Sequence, residues 1–173
     1  MGKMNILTCL SLGMAAIMGL SACSEPRTSL PYPIEVTGDQ AGPMRSDTPF
    51  DAASVSALMP GFDVQAYTAF VSGAGQSILV INRGGRAIFT VSPTPDGKKI
   101  GSVTVHAADV RLPRGVVIGA ASPIAFEAGA CSRVDNEVRC RLPELPNLSC
   151  LFASDPGEHP EAVVEAVIWT PHA

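Results

Sequence analysis

Cysteine and histidine have the widest chemical reach of any side chains here, and they are few: five and three in 173 residues. Two of the cysteines, Cys131 and Cys140, bracket the stretch CSRVDNEVRC. A thiol pair at that spacing suits a disulfide, part of a metal site, or redox chemistry. A zinc site wants tighter Cys pairs and further ligands at regular spacing. Cys150 and His159 follow, but a C-x8-C…C…H series matches no usual set. Register favours a bond. With Asp135 and Asn136 central in a turn, Cys131 falls opposite Cys140, and Asp and Asn tolerate the positive φ that such turns require. Counting outward, 134:137 is a hydrogen-bonded pair, 133:138 is not, 132:139 is, and 131:140 is not. Non-bonded pairs bring side chains closest, within disulfide reach. Closing that loop stabilises by roughly 2.5–3 kcal/mol if the effect is chain entropy. Cys150, in the apolar LSCLFA, reads as a buried core thiol and as the candidate to exchange partners with the other two.

The histidines offer acid–base chemistry. His106 ends the strand-like VTVH, with Asp109 three residues on. A hydroxyl from Ser102 or Ser122 would complete a nucleophile–base–acid set. Nothing in the spacing demands it, and neither G-x-S-x-G nor H-E-x-x-H is present. His159, in the acidic turn-rich DPGEHPE, and His172, in the tail, read as surface. VSGAGQS resembles a phosphate-cradling loop only faintly, lacking its Lys and third glycine, and reads as a hairpin turn between AYTAF and ILVIN. The carboxylate pairs Glu158/Glu161 and Glu137/Glu144 have separations in space that sequence does not give. Arg114, in LPRGVV, is the one basic loop tip suited to entering a carboxylate-bearing cleft. The chain therefore carries no recognisable catalytic motif, metal set or cofactor motif. His106, Asp109 and Arg114 are the polar residues on which a site would rest.

Whether Cys131 and Cys140 join depends on the compartment. The N-terminus, MGKMNILTCLSLGMAAIMGLSAC, has one cation, Lys3, before an apolar run from Ile6 to Leu20. That run is short for a membrane span and has the form of a secretory signal. Its end, LSAC (Leu20 to Cys23), resembles the lipobox of bacterial lipoproteins, in which the Cys takes a diacylglyceryl group and becomes the first mature residue. The resemblance implies lipidation of Cys23 after loss of residues 1–22. Acyl chains contribute about 0.8 kcal/mol per buried methylene, so two or three hold a protein at a membrane without a spanning helix. In such lipoproteins an Asp after the Cys favours the inner membrane. Here Ser24 follows, which implies the outer membrane, periplasmic face, an oxidising setting.

Without its signal the chain suits one domain with a sizeable core. Net charge is −4 and becomes one unit more negative once Lys3 leaves. No Lys/Arg cluster and few aromatics are present, which argues against nucleic-acid binding. The expected partners are the membrane, through the anchor, and an envelope protein or cell-wall component.

The elements that must position these residues follow from turn chemistry and period. SEPRTSLPYP, with three prolines, reads as a tether over residues 23–31, and the domain is expected over 32–173. YPIEVTG suggests an edge strand with Ile34 and Val36 on one face. TPFDAASVSALMPG predicts a short helix: Thr48 as cap, Pro49 first, an apolar face of Val55, Leu58 and Met59, and Pro60-Gly61 as the stop. FDVQAYTAFV, QSILVIN, RAIFTVS and KIGSVTVH predict strands, joined by turns at INRGGRA and PTPDGKK. Shorter β candidates are ADVRL, VVIG, RCRL, SCLF and AVVEAVIW, while SPIAFEAGA suits a helical turn or two. The pattern predicts an α+β single domain: an antiparallel meander sheet with one short N-terminal helix packed on it and one disulfide hairpin.

Four segments in order, TPFDAASVSALMPGFDV, GGRAIFTVSPTPDGKKIGSVTVHAADVRLPRGVVIG, the C…NEVRC pair and VVEAVIWTP, resemble a family of small proteobacterial lipoproteins. That family is regulated by the envelope-stress sigma factor RpoE and has a domain of unknown function. The resemblance covers about residues 32 to 171 and implies a mixed α+β domain in the envelope, with no catalytic residues to carry over. Cys150 has no place in that pattern. The expected function is a non-enzymatic outer-membrane lipoprotein that serves the envelope by binding. The alternatives are a lysozyme inhibitor and a hydrolase acting on envelope material.

Overall fold

The structure, a computed structural model, describes residues 33–71, 73–126, 129–134 and 136–171. The signal, Cys23, the tether and His172 lie outside the described residues, as does Asp135 of the expected turn. One helix, α1 (Ala52–Leu58), precedes eight strands: β1 (Asp63–Val71), β2 (Ala74–Arg83), β3 (Arg86–Pro93), β4 (Ile100–Val105), β5 (Cys131–Val134), β6 (Glu137–Leu142), β7 (Leu145–Phe152) and β8 (Val164–Trp169). All eight form one antiparallel sheet ordered β1-β2-β3-β4-β8-β7-β6-β5. The expected class holds: a single, mostly β domain with one short helix and one disulfide hairpin. The meander comes as two, β1–β4 and β5–β7. The last strand joins them.

Local chemistry explains the hairpins. Gly84 and Gly85, at φ 57° and 77°, make the two-residue link whose twist matches the paired strands β2 and β3. In PTPDGKK, the Asp96 carboxylate accepts from Thr94 Oγ1 at 2.6 Å and from the Lys98 N–H at 3.2 Å. The Thr94 hydroxyl first, then the Lys98 amide, hold the Asp96 pKa below its ordinary value. Gly101 answers a different need. It lies opposite the irregular register at Ser92/Pro93, where a Cβ would come within 2.4 Å of the Pro93 carbonyl oxygen.

The helix starts later than expected. Asp51, not Thr48, is its cap: extended at φ −146°, it accepts from the Ser54 N–H at 2.8 Å. That backbone bond is the main reason its pKa is lowered. Thr48 is drawn elsewhere. Its Oγ1 accepts from the Arg45 N–H at 2.9 Å, and its carbonyl accepts from the Ile100 N–H at 3.1 Å, tying it to the start of β4. Preceding Pro49 also disfavours helical backbone at Thr48. The apolar face is narrower too, since Val55 and Met59 are buried while Leu58 is exposed.

Strand alternation builds the core. Leu79, Ile81, Phe89, Val91, Val103, Val105, Val167, Trp169, Leu148, Cys150, Val138 and Cys140 share the inner face, and all are buried. Segments read as strands cover that face without becoming part of the sheet. YPIEVTG forms isolated bridges only, Glu35 to Arg111 and Val36 to Ala41, with Ile34 and Val36 buried. Its hydrogen bonds go to ADVRL instead: Val36 N–H to Arg111 O at 2.9 Å and Arg111 N–H to Ile34 O at 2.8 Å. ADVRL and VVIG are likewise not strands, because Val110, Val116 and Ile118 are buried as cover. The described part of SPIAFEAGA is not helical. Ser122 Oγ accepts from the Ile124 N–H, and Phe126 packs edge-on against Phe152 at 5.7 Å. Trp169 fastens cover to sheet, its Nε1–H donating to the Gly38 carbonyl at 3.0 Å.

Candidate functional site

Strand register aligns the cysteines in a row. Cys131 and Cys140 are direct partners on β5 and β6, with Cα atoms 4.0 Å apart, and they are bonded. Cys140 has a second direct partner, Cys150 on β7, so three cysteines stand side by side on the inner face. Cys150 is buried and free. Burial pushes its thiol up to about 12, which leaves almost no thiolate to attack the neighbouring disulfide.

The three polar candidates are not brought together. His106 follows β4, and its Nε2 lies 2.9 Å from Thr90 Oγ1 on β3. Burial of part of the ring lowers its pKa although the residue reaches solvent, so the neutral form is favoured. Asp109 turns to Arg86 and pairs with its guanidinium at 2.8 Å. Arg114 sits in a single 3-10 turn over Pro113–Gly115 and is ion-paired with Glu144. Arg114 and Glu144 are both in the left-handed region, φ 61° and 64°, where non-glycine residues are uncommon. The basic tip is thus already engaged by a carboxylate of its own chain. Ser122 is occupied by backbone at Ile124, and no hydrogen bond or ion pair joins His106, Asp109 and Arg114. Among the described residues, no cluster of His, Cys, Asp and Glu is arranged to hold a metal.

Two surface features were missed by motif reading. The first is the edge at β1. The pairing of Val71 with Ala74 across a two-residue link fixes the alternation along β1. Val64, Ala66, Thr68 and Phe70 fall at the non-bonded positions, so their N–H and C=O groups point away from β2. No described strand takes them up. Toward its tip the hairpin also outruns the core, with Tyr67 49% and Phe70 79% exposed. Alongside, Asp63, Gln65 and Tyr67 are linked by side-chain hydrogen bonds on the outer face and line a shallow hollow of ≈ 380 Å³ with Asn82 and Arg83.

The second is a hollow of ≈ 690 Å³ on the outer face at the opposite end, lined by Arg139, Arg141, Ser132, Ser149 and Thr170 among others. Strand alternation places it. Val138, Cys140 and Leu142 point into the core, so Arg139 and Arg141 point out. The signal was present in EVRCRL, but motif spacing does not reveal it.

The fold and these sites define a disulfide-bonded, mostly β module whose uncommitted chemistry lies in a strand edge and an arginine-lined hollow. It is similar to the crystal structure of the uncharacterized protein yfeY from Escherichia coli, with a TM-score of 0.64 and 16% identity, over 80% of this chain and 99% of that one. The likeness is one of fold. No family model and no curated protein matches the chain.

Proposed function

We propose that the protein is a lipid-anchored outer-membrane lipoprotein facing the periplasm, and that it works by binding rather than catalysis. The partner is an extended segment of another envelope protein, added as a further strand along β1. The open edge carries this reading: four outward donor–acceptor sets on a nine-residue strand with no charge after Asp63. Such edges are templates for strand addition, with backbone bonds giving affinity and alternate side chains giving selectivity. Tyr67 and Phe70 supply exposed aromatic surface on the two faces of the added strand's path. The lipobox-like LSAC supports the anchor, and the cysteine pair suits an oxidising compartment. The inhibitor reading needed a free Arg114, which Glu144 occupies.

The test uses a deletion strain with an envelope-stress phenotype. Thr68→Pro removes one outward N–H and no hairpin bond. The variant should fold, localise and fail to complement, and a photo-cross-linker at Gln65 should lose its adduct in that background. His106→Ala should complement fully. The reverse pattern would favour chemistry at His106, and a purified chain that dimerises through β1 would make a second copy the occupant. Cys23→Ser should release the protein from the outer membrane or block its maturation.

A further inference from the structure

We infer that the hollow over β5, β6 and β7 binds a phosphate group carried on a small polar molecule such as a sugar phosphate or a lipid headgroup. Its wall is built by the sheet itself. Ser132 is the direct partner of Arg139 across β5 and β6, and Ser149 is the direct partner of Arg141 across β6 and β7. Cys131, next to Ser132, is bonded to Cys140, which lies between the two arginines, so the disulfide holds this wall from beneath. Arg139 reaches across the sheet to Thr170, its guanidinium 3.5 Å from the hydroxyl. Two guanidinium groups and three hydroxyls therefore line one hollow.

Arg86, Arg111 and Arg114 are each neutralised by a carboxylate. Arg139 and Arg141 have no ion-pair partner among the described residues, and no carboxylate lines the hollow. Arg45, Arg83 and Arg133 also make no ion pair among the described residues, but Arg139 and Arg141 differ from them in lining one hollow together. In a chain of net charge −4, two uncompensated arginines side by side favour an anion. Guanidinium forks suit carboxylate and phosphate alike. The donor count favours phosphate, because a monoester offers three terminal oxygens, and a diester two terminal and two bridging ones, to two arginines and several hydroxyls, whereas a carboxylate offers two oxygens in all. The volume of ≈ 690 Å³ is that of an ordinary small-molecule site and exceeds a bare phosphate, which leaves room for the group that bears it.

The purified full-length chain in a neutral detergent should be titrated with inorganic phosphate, N-acetylglucosamine 1-phosphate, N-acetylglucosamine, and micelles doped with phosphatidylglycerol or phosphatidylcholine. Expected is saturable, salt-sensitive binding of at least one phosphate-bearing probe, none of the neutral sugar, and a loss of about tenfold or more in Arg139→Gln and in Arg141→Gln. Arg111→Gln, which removes a charge elsewhere, should bind as the parent does. Binding of the sugar phosphate assigns a soluble source, and binding of phosphatidylglycerol alone assigns a lipid headgroup. No binding of any phosphate probe, or equal binding by the double variant Arg139→Gln/Arg141→Gln with its disulfide intact, would overturn the site.

Discussion

The two edges of the sheet are built in opposite ways. β5 has four residues, carries Arg133, and is bolted to β6 by a disulfide. β1 has nine residues, no proline, and a single charge at its first position. Proteins blunt edges by shortening, charging or covering them, since an exposed row of N–H and C=O groups recruits other chains. β5 is short and charged, whereas β1 past Asp63 is neither. The contrast underlies both proposals: strand recruitment is placed on the open edge, and anion binding on the reinforced end that carries the arginines and hydroxyls.

The contrast is sharpest at β8, which pairs with β4 on one side and β7 on the other. Trp169 is fully buried on it and touches both halves of the sheet through its direct partners Val103 and Leu148. Trp169→Ala should cost about 3–5 kcal/mol in urea unfolding and loosen both ends together. Lost hydrogen-exchange protection at β5–β7 alone would mean that the two ends fold independently. Removing the bridge with Cys131→Ser/Cys140→Ser should cost less, about 2–3 kcal/mol, with protection lost at β5 and β6 while β1–β4 keep theirs. In the parent, non-reducing peptide mapping should link 131 to 140, and Cys150 should resist alkylation until the chain unfolds.

At the open edge the effects should be smaller and should alternate. Ala69 pairs with Gln76 at a bonded position, so Ala69→Pro should cost about 1 kcal/mol or more. Thr68→Pro, at an outward position, should stay within about 0.5 kcal/mol. The opposite order would place the hairpin one residue out of register. Smallest is the pH response of His106. Its folded pKa lies below the ordinary 6.5, so the unfolded chain takes up the proton first. The stability contribution is full above 6.5 and is lost as pH falls through the folded value. The His106→Asn variant should therefore lose less stability than the parent between about pH 7 and 5, measured by urea melts.

What the sequence determined by itself was local. Gly84-Gly85, the Asp96-Gly97 turn and the Cys131/Cys140 register set pairings across short links, where backbone conformation decides which residues meet. Alternation in EVRCRL also determined that Arg139 and Arg141 oppose Cys140, though which residues surround them was not legible. Tertiary structure decided everything that spans a long connection. It placed the last strand in the middle of the sheet, turned Ile34, Val36, Val110 and Ile118 into cover, and moved the helix cap from Thr48 to Asp51. It also gave Asp109 to Arg86 and Arg114 to Glu144, and left Arg139 and Arg141 without a carboxylate among the described residues. The physical reason is the range of the forces. Turn geometry and strand period act within a few residues, whereas burial and charge pairing choose among every segment the fold brings near, and sequence order does not rank those choices.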